Sequence, residues 1–250
     1  MSKIYEALKK AQQEKATLGD QGAPQPSPLE FPSGPMLDSQ LTPAVAEEYR
    51  KMLNSIKLTN PNHKIKAILM ASSIQGEGTS SVCSQFALSL VQSSQERVLL
   101  LDANLRSPVL HDLFGLERGG GFVELMEGSA SASEVVKETN FPGLFVITSG
   151  QPAGDYTRLL NSPRLQEALA EWKRDYSYVL MDSPPVLAYA DAVILSRLFD
   201  GVVLVVQAGK TRWEVIRKAR ETLMNVKVPI LGVVLNRRQY FIPKKVYKRL

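Results

Sequence analysis

Three stretches of the chain hold residues whose types and spacing could do chemistry. The first is Ser72-Ser73-Ile74-Gln75-Gly76-Glu77-Gly78-Thr79-Ser80-Ser81, set between an apolar run and a segment of helical periodicity. Glycines between a strand and a helix N-terminus let backbone N–H groups converge on a phosphate, and the helix dipole adds to the attraction. A full phosphate loop of this kind closes on Gly-Lys-Ser/Thr. Here Gly78 is followed by Thr79, so the lysine is missing, and Ser80 supplies the hydroxyl that would reach Mg2+. Taken alone, the loop also fits an ordinary glycine turn. The other two stretches end apolar runs with a carboxylate: Val98 to Asp102, continuing Ala103-Asn104-Leu105-Arg106, and Tyr178 to Asp182, continuing Ser183-Pro184-Pro185. In open α/β sheets, ligands bind at the carboxyl ends of the strands. Asp102 and Asp182 would both lie there, beside the glycine loop, where acidic groups hold Mg2+ and its waters against phosphates.

The elements that must position these residues follow from the pattern of apolar runs. Strands are expected at Ala67 to Ala71, Val98 to Asp102, Leu144 to Thr148, Tyr178 to Asp182, Gly201 to Val206 and Ile230 to Leu235. Most lack polar alternation, as expected of strands covered on both faces of a parallel sheet. Helices are expected near Ser80–Gln92, Ser162–Asp175, Asp191–Leu198 and Thr211–Asn225. This alternation predicts a doubly wound α/β fold with a mainly parallel sheet. Upstream, Ile4, Leu8 and Ala11 mark a short helix over Met1 to Lys15, which needs a surface to form against. Gly19 to Pro43, rich in Pro, Gly, Ser and Gln, reads as a flexible linker. Ala44 to Leu58 is a second helix, with Thr42 as cap and Pro43 at its first turn.

The chain has 250 residues, 44% hydrophobic and 22% charged, enough for one substantial core. No stretch approaches the roughly 20 apolar residues of a membrane span, and no secretory leader is expected. One cysteine, Cys83, rules out an internal disulfide and fits a reducing cytosol. Cys83, Phe86 and Leu90 share helical spacing, so Cys83 is read as a packed thiol. His63 and His111 form no metal-ligand pattern, Trp172 and Trp213 are read as packing residues, and Arg212, Arg217, Lys218 and Arg220 as a solvated helix face. A net charge of +5 is too mild for a dedicated nucleic-acid binder. From Arg237 to Leu250, however, there are six Lys or Arg residues and no acidic one. That tail could meet anionic lipid or an acidic partner, or be a solvated charged end.

Together the motifs resemble those of the bacterial tyrosine autokinases of capsule and exopolysaccharide systems, relatives of the ParA/MinD-type P-loop ATPases. The resemblance runs from Ala44 to Arg238. It rests on Gly76 to Ser80, on Asp102 and Arg106, on the Asp182-Ser183-Pro184-Pro185 box, on Gly232-Val233-Val234-Leu235-Asn236, and on Ser149 to Pro152 with Leu159 to Ser162. The opening, Met1 to Leu8, is similar to that of stand-alone members that work with a separate membrane protein.

The resemblance implies ATP or ADP held by Gly76, Glu77, Gly78, Thr79, Ser80 and Ser81, with Asn236 near the adenine. It implies Mg2+ at Ser80, Asp102 and Asp182, and residual catalytic roles for Asp102 and Arg106. It also implies a homo-oligomeric ring through Glu47 and Arg50, phosphoacceptors at Tyr240 and Tyr247, and a membrane chain-length-determinant co-polymerase as partner. The protein would then be cytoplasmic and peripheral at the inner membrane. The expected organisation is a docking helix over 1–18, a linker over 19–43, a P-loop kinase-like domain over 44–238 and a basic tail over 239–250.

Four departures from the family pattern set the functional expectation. Thr79 replaces the loop lysine; Asn104 replaces the second Asp of the Asp-x-Asp box; Leu53 replaces the last arginine of the Glu-x-x-Arg-x-x-Arg oligomerisation motif; and Tyr240 and Tyr247 stand where the family carries a dense tyrosine cluster. Asn104 cannot take a proton from a phenol, and Leu53 could only add apolar burial to the subunit contact. A pseudokinase regulating polysaccharide assembly is therefore expected; an active autokinase and a ParA/MinD-like positioning ATPase are the alternatives.

Overall fold

Apolar runs bounded by Gly, Pro or Asp become the central strands. In the computed structural model, which describes residues 41–59, 64–94, 96–152 and 154–238, the elements in chain order are as follows. Helix α1 (Pro43–Thr59) precedes β1 (Ala67–Ser72), α2 (Thr79–Ser94), β2 (Val98–Asp102), α3 (Leu110–Phe114) and α4 (Phe122–Glu127). Then come β3 (Lys137–Glu138), β4 (Leu144–Ile147), α5 (Tyr156–Leu160), α6 (Arg164–Asp175), β5 (Tyr178–Asp182), α7 (Asp191–Ser196), β6 (Gly201–Gln207), α8 (Trp213–Asn225) and β7 (Ile230–Asn236). The expected helix over Met1 to Lys15, most of the linker, His63, Tyr240, Tyr247 and the basic tail over 239–250 lie outside the described residues.

The seven strands form one sheet in the order β3-β4-β2-β5-β1-β6-β7. Every neighbouring pair is parallel except β3 with β4. Strands β1, β2 and β5 are buried along their whole length, which is why their sequences show no polar alternation. One face of the sheet packs under α4, α6, α7 and α8 through Phe122, Trp172, Ala192 and Ala219. The other packs under α1, α2 and α3 through Leu53, Ile56, Phe86 and Leu110. Helices on both faces of a mostly parallel sheet make the doubly wound architecture expected from the sequence.

This strand order fixes the place of the chemistry. β1 lies between β5 and β6, so the loop leaving β1 opens beside the end of β5, with the end of β2 one strand further on. Asp102 and Asp182 are register partners across β2 and β5, and Ala103 N donates to Asp182 O at 2.9 Å.

Two expectations are corrected. Leu53 is not available to a subunit contact, because it is buried in the chain's own core beside Ile56. Trp213 is not a packing residue: it opens α8 and is 66% exposed. Trp172 does pack, fully buried, with its indole N–H donating to Ala132 O at 3.3 Å. Cys83 is buried on α2, as expected of a packed thiol.

Candidate nucleotide site at the strand ends

The loop after β1 is built around glycines and one inward-turned carboxylate. Gly76 and Gly78 both have φ of +88°, in the left-handed region that L side chains avoid. A Cβ on Gly78 would lie 2.4 Å from Asn236 Nδ2, so the loop and the end of β7 touch backbone to side chain. Glu77 is 2% exposed. Its Oε2 accepts from Ser73 N at 2.7 Å and Ile74 N at 2.9 Å, while Oε1 accepts from Gln207 N at 3.2 Å and from the Thr211 hydroxyl. Four donors offset the burial of this charge. The Glu77 side chain therefore stitches the loop to the end of β6 and does not face outward. Asn236 Nδ2 donates to Glu77 O at 2.8 Å, which makes Asn236 a brace for the loop.

Downstream of Gly78 the loop becomes helix α2, with Val82 N donating to Gly78 O at 3.0 Å. Thr79 is buried at its start, Ser80 is half-buried and Ser81 faces solvent. Ser80 Oγ donates to Asp182 Oδ2 at 2.5 Å. The other oxygen, Asp182 Oδ1, is buried and has no hydrogen-bond partner among the described residues. Asp102 is differently held: Oδ1 accepts from Asn104 N at 3.2 Å, and Oδ2 from Val109 N at 3.1 Å and Leu110 N at 3.0 Å.

Burial drives the electrostatics of this pair. It pushes Asp102 from 3.8 up to about 6, against the three backbone N–H bonds and the Arg118 charge that favour the ionised form. Burial, reinforced by the negative charge of Asp102, pushes Asp182 well above the ordinary carboxylate range, with only the Ser80 bond opposing. Two buried carboxylates in register, one with an orphan oxygen and one hydroxyl beside them, form an oxygen donor set that suits Mg2+. Among the described residues no cluster of three or more His, Cys, Asp or Glu could hold a metal by itself. The residues present thus fit a Mg-nucleotide on this loop.

The remaining predicted residues fall into other networks. Arg106 turns to Asp191 at the start of α7, with Nε–Oδ2 at 3.0 Å and Nη2–Oδ1 at 3.4 Å. Its guanidinium lies over the ring of Tyr189, 4.0 Å from its centroid, and 5.4 Å from that of Tyr156. This clamp joins the loop after β2 to the loop after β5. Neither Asp191 nor the two tyrosines stand out in the sequence, where 85 residues separate Arg106 from Asp191. Glu47 and Arg50 form an exposed ion pair of 2.8 Å within one turn of α1. Arg237, read from the sequence only as the start of the basic run, has its Nη1 3.4 Å from Gly76 O.

Comparison with known proteins agrees with this geometry. A family model described as ParA, NUBPL iron-transfer P-loop NTPase, matches residues 64–249. The tyrosine-protein kinase YwqD of Bacillus subtilis is 35% identical over 191 residues, spanning 76% of this chain and 80% of that protein. The tyrosine-protein kinase CpsD of Streptococcus agalactiae is 31% identical over 205 residues, spanning 81% of this chain and 88% of that protein. The kinase domain of the Escherichia coli tyrosine kinase ETK superposes with a TM-score of 0.71 at 27% identity, covering 79% of this chain and 78% of that domain. With this sheet order, this loop and these strand-end carboxylates, the chain belongs to the bacterial tyrosine-kinase family, within the ParA-type P-loop NTPases.

Proposed function

We propose that this chain is a nucleotide-responsive pseudokinase that regulates capsule or exopolysaccharide assembly beside a membrane chain-length-determinant co-polymerase. The observation that carries the reading is an asymmetry in the site. On the metal side, Ser80 is bonded to Asp182, whose buried second oxygen has no hydrogen-bond partner among the described residues, which supports a cation there. The transfer side is altered, with Thr79 where the loop would present an ammonium and Asn104 where it would present a second carboxylate.

Backbone N–H groups over Gly76 to Ser81 would cradle the phosphates, while Ser80, Asp182 and Asp102 would hold the metal. Bound Mg-nucleotide would supply an activated phosphoryl group. Thr79 brings no charge to it, and Asn104 cannot draw a proton from an attacking phenol. Losing one charge contact to a transferring phosphoryl costs about 3 kcal/mol of barrier, roughly 100-fold in rate. Binding survives better than turnover, because the cradle is made of backbone. The partner would recruit the protein to the inner membrane face and gather copies into a ring, with Glu47 and Arg50 exposed for that contact. Among the described residues, no helix is long and apolar enough to cross a membrane.

The test pairs calorimetry of Mg-ATP binding with labelled-phosphate transfer, on the wild type and on the Thr79→Lys, Asn104→Asp double variant. Measurable binding without incorporation in the wild type, and incorporation in the double variant, is the expected result. Both Asp102 and Asp182 are in place, which favours an active autokinase as the second reading. Robust wild-type phosphorylation of Tyr240 or Tyr247, lost in Asp102→Ala, would establish that reading instead.

A further inference from the structure

Arg237 occupies an unusual position. It follows the last residue of β7, and its φ of 55° makes it one of two non-glycine residues in the left-handed region among the described residues. Such a conformation is costly for a side chain with a Cβ and persists where the surroundings enforce it. The enforcing contacts are visible. Asn236 Oδ1 accepts from Arg237 N at 2.9 Å, and Asn236 Nδ2 is itself bonded to Glu77 O. The same asparagine that braces the loop thus turns the arginine over it. Arg237 Nη1 reaches Gly76 O at 3.4 Å, and Nη2 lies 3.9 Å from where a Cβ on Gly78 would be. No carboxylate among the described residues pairs with this guanidinium, and the nearest loop carboxylate, Glu77, is consumed by its four donors.

The sheet order places this cation usefully. β5, which carries Asp182, lies on one side of β1, and β7, which leads into Arg237, lies on the other, beyond β6. A polyphosphate on the loop would have the metal side at one flank and a guanidinium at the other. We propose that Arg237, reaching over Gly76 and Gly78 from the end of β7, supplies the positive charge for the nucleotide phosphates that Thr79 does not. The inference rests on the reading that the loop holds Mg-nucleotide. It adds a binding residue from outside the loop, one fitted for charge-assisted contacts to phosphate oxygens.

The experiment is calorimetry on the full chain with Mg-ADP and with inorganic pyrophosphate, for the wild type, Arg237→Ala, Arg237→Lys, Thr79→Lys and the Thr79→Lys, Arg237→Ala pair. Arg237→Ala is expected to weaken both ligands about tenfold, the loss typical of one charge-assisted contact. Arg237→Lys should recover most of that loss. In the Thr79→Lys background the effect of Arg237→Ala should shrink to about twofold, because the loop then carries its own cation. The ligand-free melting temperature should be the same for Arg237→Ala and the wild type. Unchanged affinity in Arg237→Ala, alone or with a lowered melting temperature, would leave Arg237 a structural brace and overturn the inference while sparing the nucleotide reading. A loss for Mg-ADP but not for pyrophosphate would also overturn it, since Arg237 would then contact base or sugar. A wild type that binds neither ligand would overturn both.

Discussion

Replacing Asp182 by asparagine should stabilise the free protein and remove its response to Mg-nucleotide. Asp182 is fully buried, sits in register with the equally buried Asp102, and leaves Oδ1 without a partner among the described residues. Both carboxyls are held above their ordinary range by burial. A carboxyl whose folded value lies above its unfolded value binds its proton more tightly in the folded state. The stability it contributes is therefore full at low pH and is lost as pH rises through the folded value. For Asp102, with a rise from 3.8 to about 6, the decline runs over that interval and amounts to ~3 kcal/mol. Asp182, also raised by burial, adds a decline of the same sign. The introduced asparagine would keep the volume and the contact to Ser80 but carry no charge. At pH 8 the Asp182→Asn variant should gain about 1–3 kcal/mol, because a buried negative charge beside Asp102 is replaced by a neutral amide in the same partnerless position, or roughly 2–4 °C in Tm per kcal/mol. At pH 5 the gain should be smaller, because a carboxyl held above its ordinary range by burial carries less charge at lower pH. Thermal melts at both values, with and without Mg-ADP, read all of this. Wild type should shift upward with Mg-ADP as any native-state ligand requires, and Asp182→Asn should not. A variant that melts lower at pH 8, or that keeps the full ligand shift, would refute the argument that Asp182 is held for a cation.

Leu53→Arg, which restores the family's motif in sequence, should cost about 3–5 kcal/mol in urea unfolding, because it places a charge in the core beside Ile56. A variant of unchanged stability would mean that Leu53 faces outward. Glu77→Gln should cost about 2–4 kcal/mol by setting an amide N–H2 against N–H donors; faster hydrogen exchange at Ser73 and Ile74 is the local readout, and unaltered exchange would contradict it. Gly78→Ala should weaken Mg-ADP binding about tenfold or more, since the added Cβ meets Asn236 at 2.4 Å at a φ of +88°. Calorimetry showing wild-type affinity in that variant would show the loop to be softer than its contacts imply.

What is legible in the sequence follows from which signals are local. The bounds of β2 and β5 can be read directly because each is an apolar run ended by a carboxylate. The pairing of the loop with Asp102 and Asp182 is legible because a doubly wound sheet brings strand ends together. Several short elements escape, though the six-residue α7 does not: β3 is Lys137–Glu138 alone, and α3, α4 and α5 have five or six residues, little more than one helical turn. Leu53 misleads when motif alignment is placed above helix phase. Tyr49, Met52, Leu53 and Ile56 form one stripe against the core, which the spacing alone shows. Trp213 misleads in the opposite way, since a residue at the first position of a helix need not share its buried face. The inward turn of Glu77, the Asp191 partner of Arg106 and the reach of Arg237 depend on contacts between segments 85 to 161 residues apart, and no window of sequence contains them.

The site's residues divide by what the fold itself needs from them. Glu77, Asn236 and Gly78 are tied into the junction of β1, β6 and β7 by hydrogen bonds and close contact, so the chain requires them whether or not a nucleotide ever binds. Thr79 and Asn104 are different: neither side chain makes a hydrogen bond among the described residues, so replacing the family's lysine and aspartate there leaves the fold intact. Asp182 belongs to a third class. Its orphan oxygen and its charged neighbour oppose folding, and an asparagine would satisfy Ser80 at lower cost. A buried group that the fold does not need, and that destabilises it, is held for something outside the fold. An oxygen donor set around it suits the hydrated divalent cation of the proposed Mg-nucleotide. On the proposed reading, the carboxylate that a ligand would explain remains, while the loop lysine and the second aspartate of the family pattern are replaced by Thr79 and Asn104.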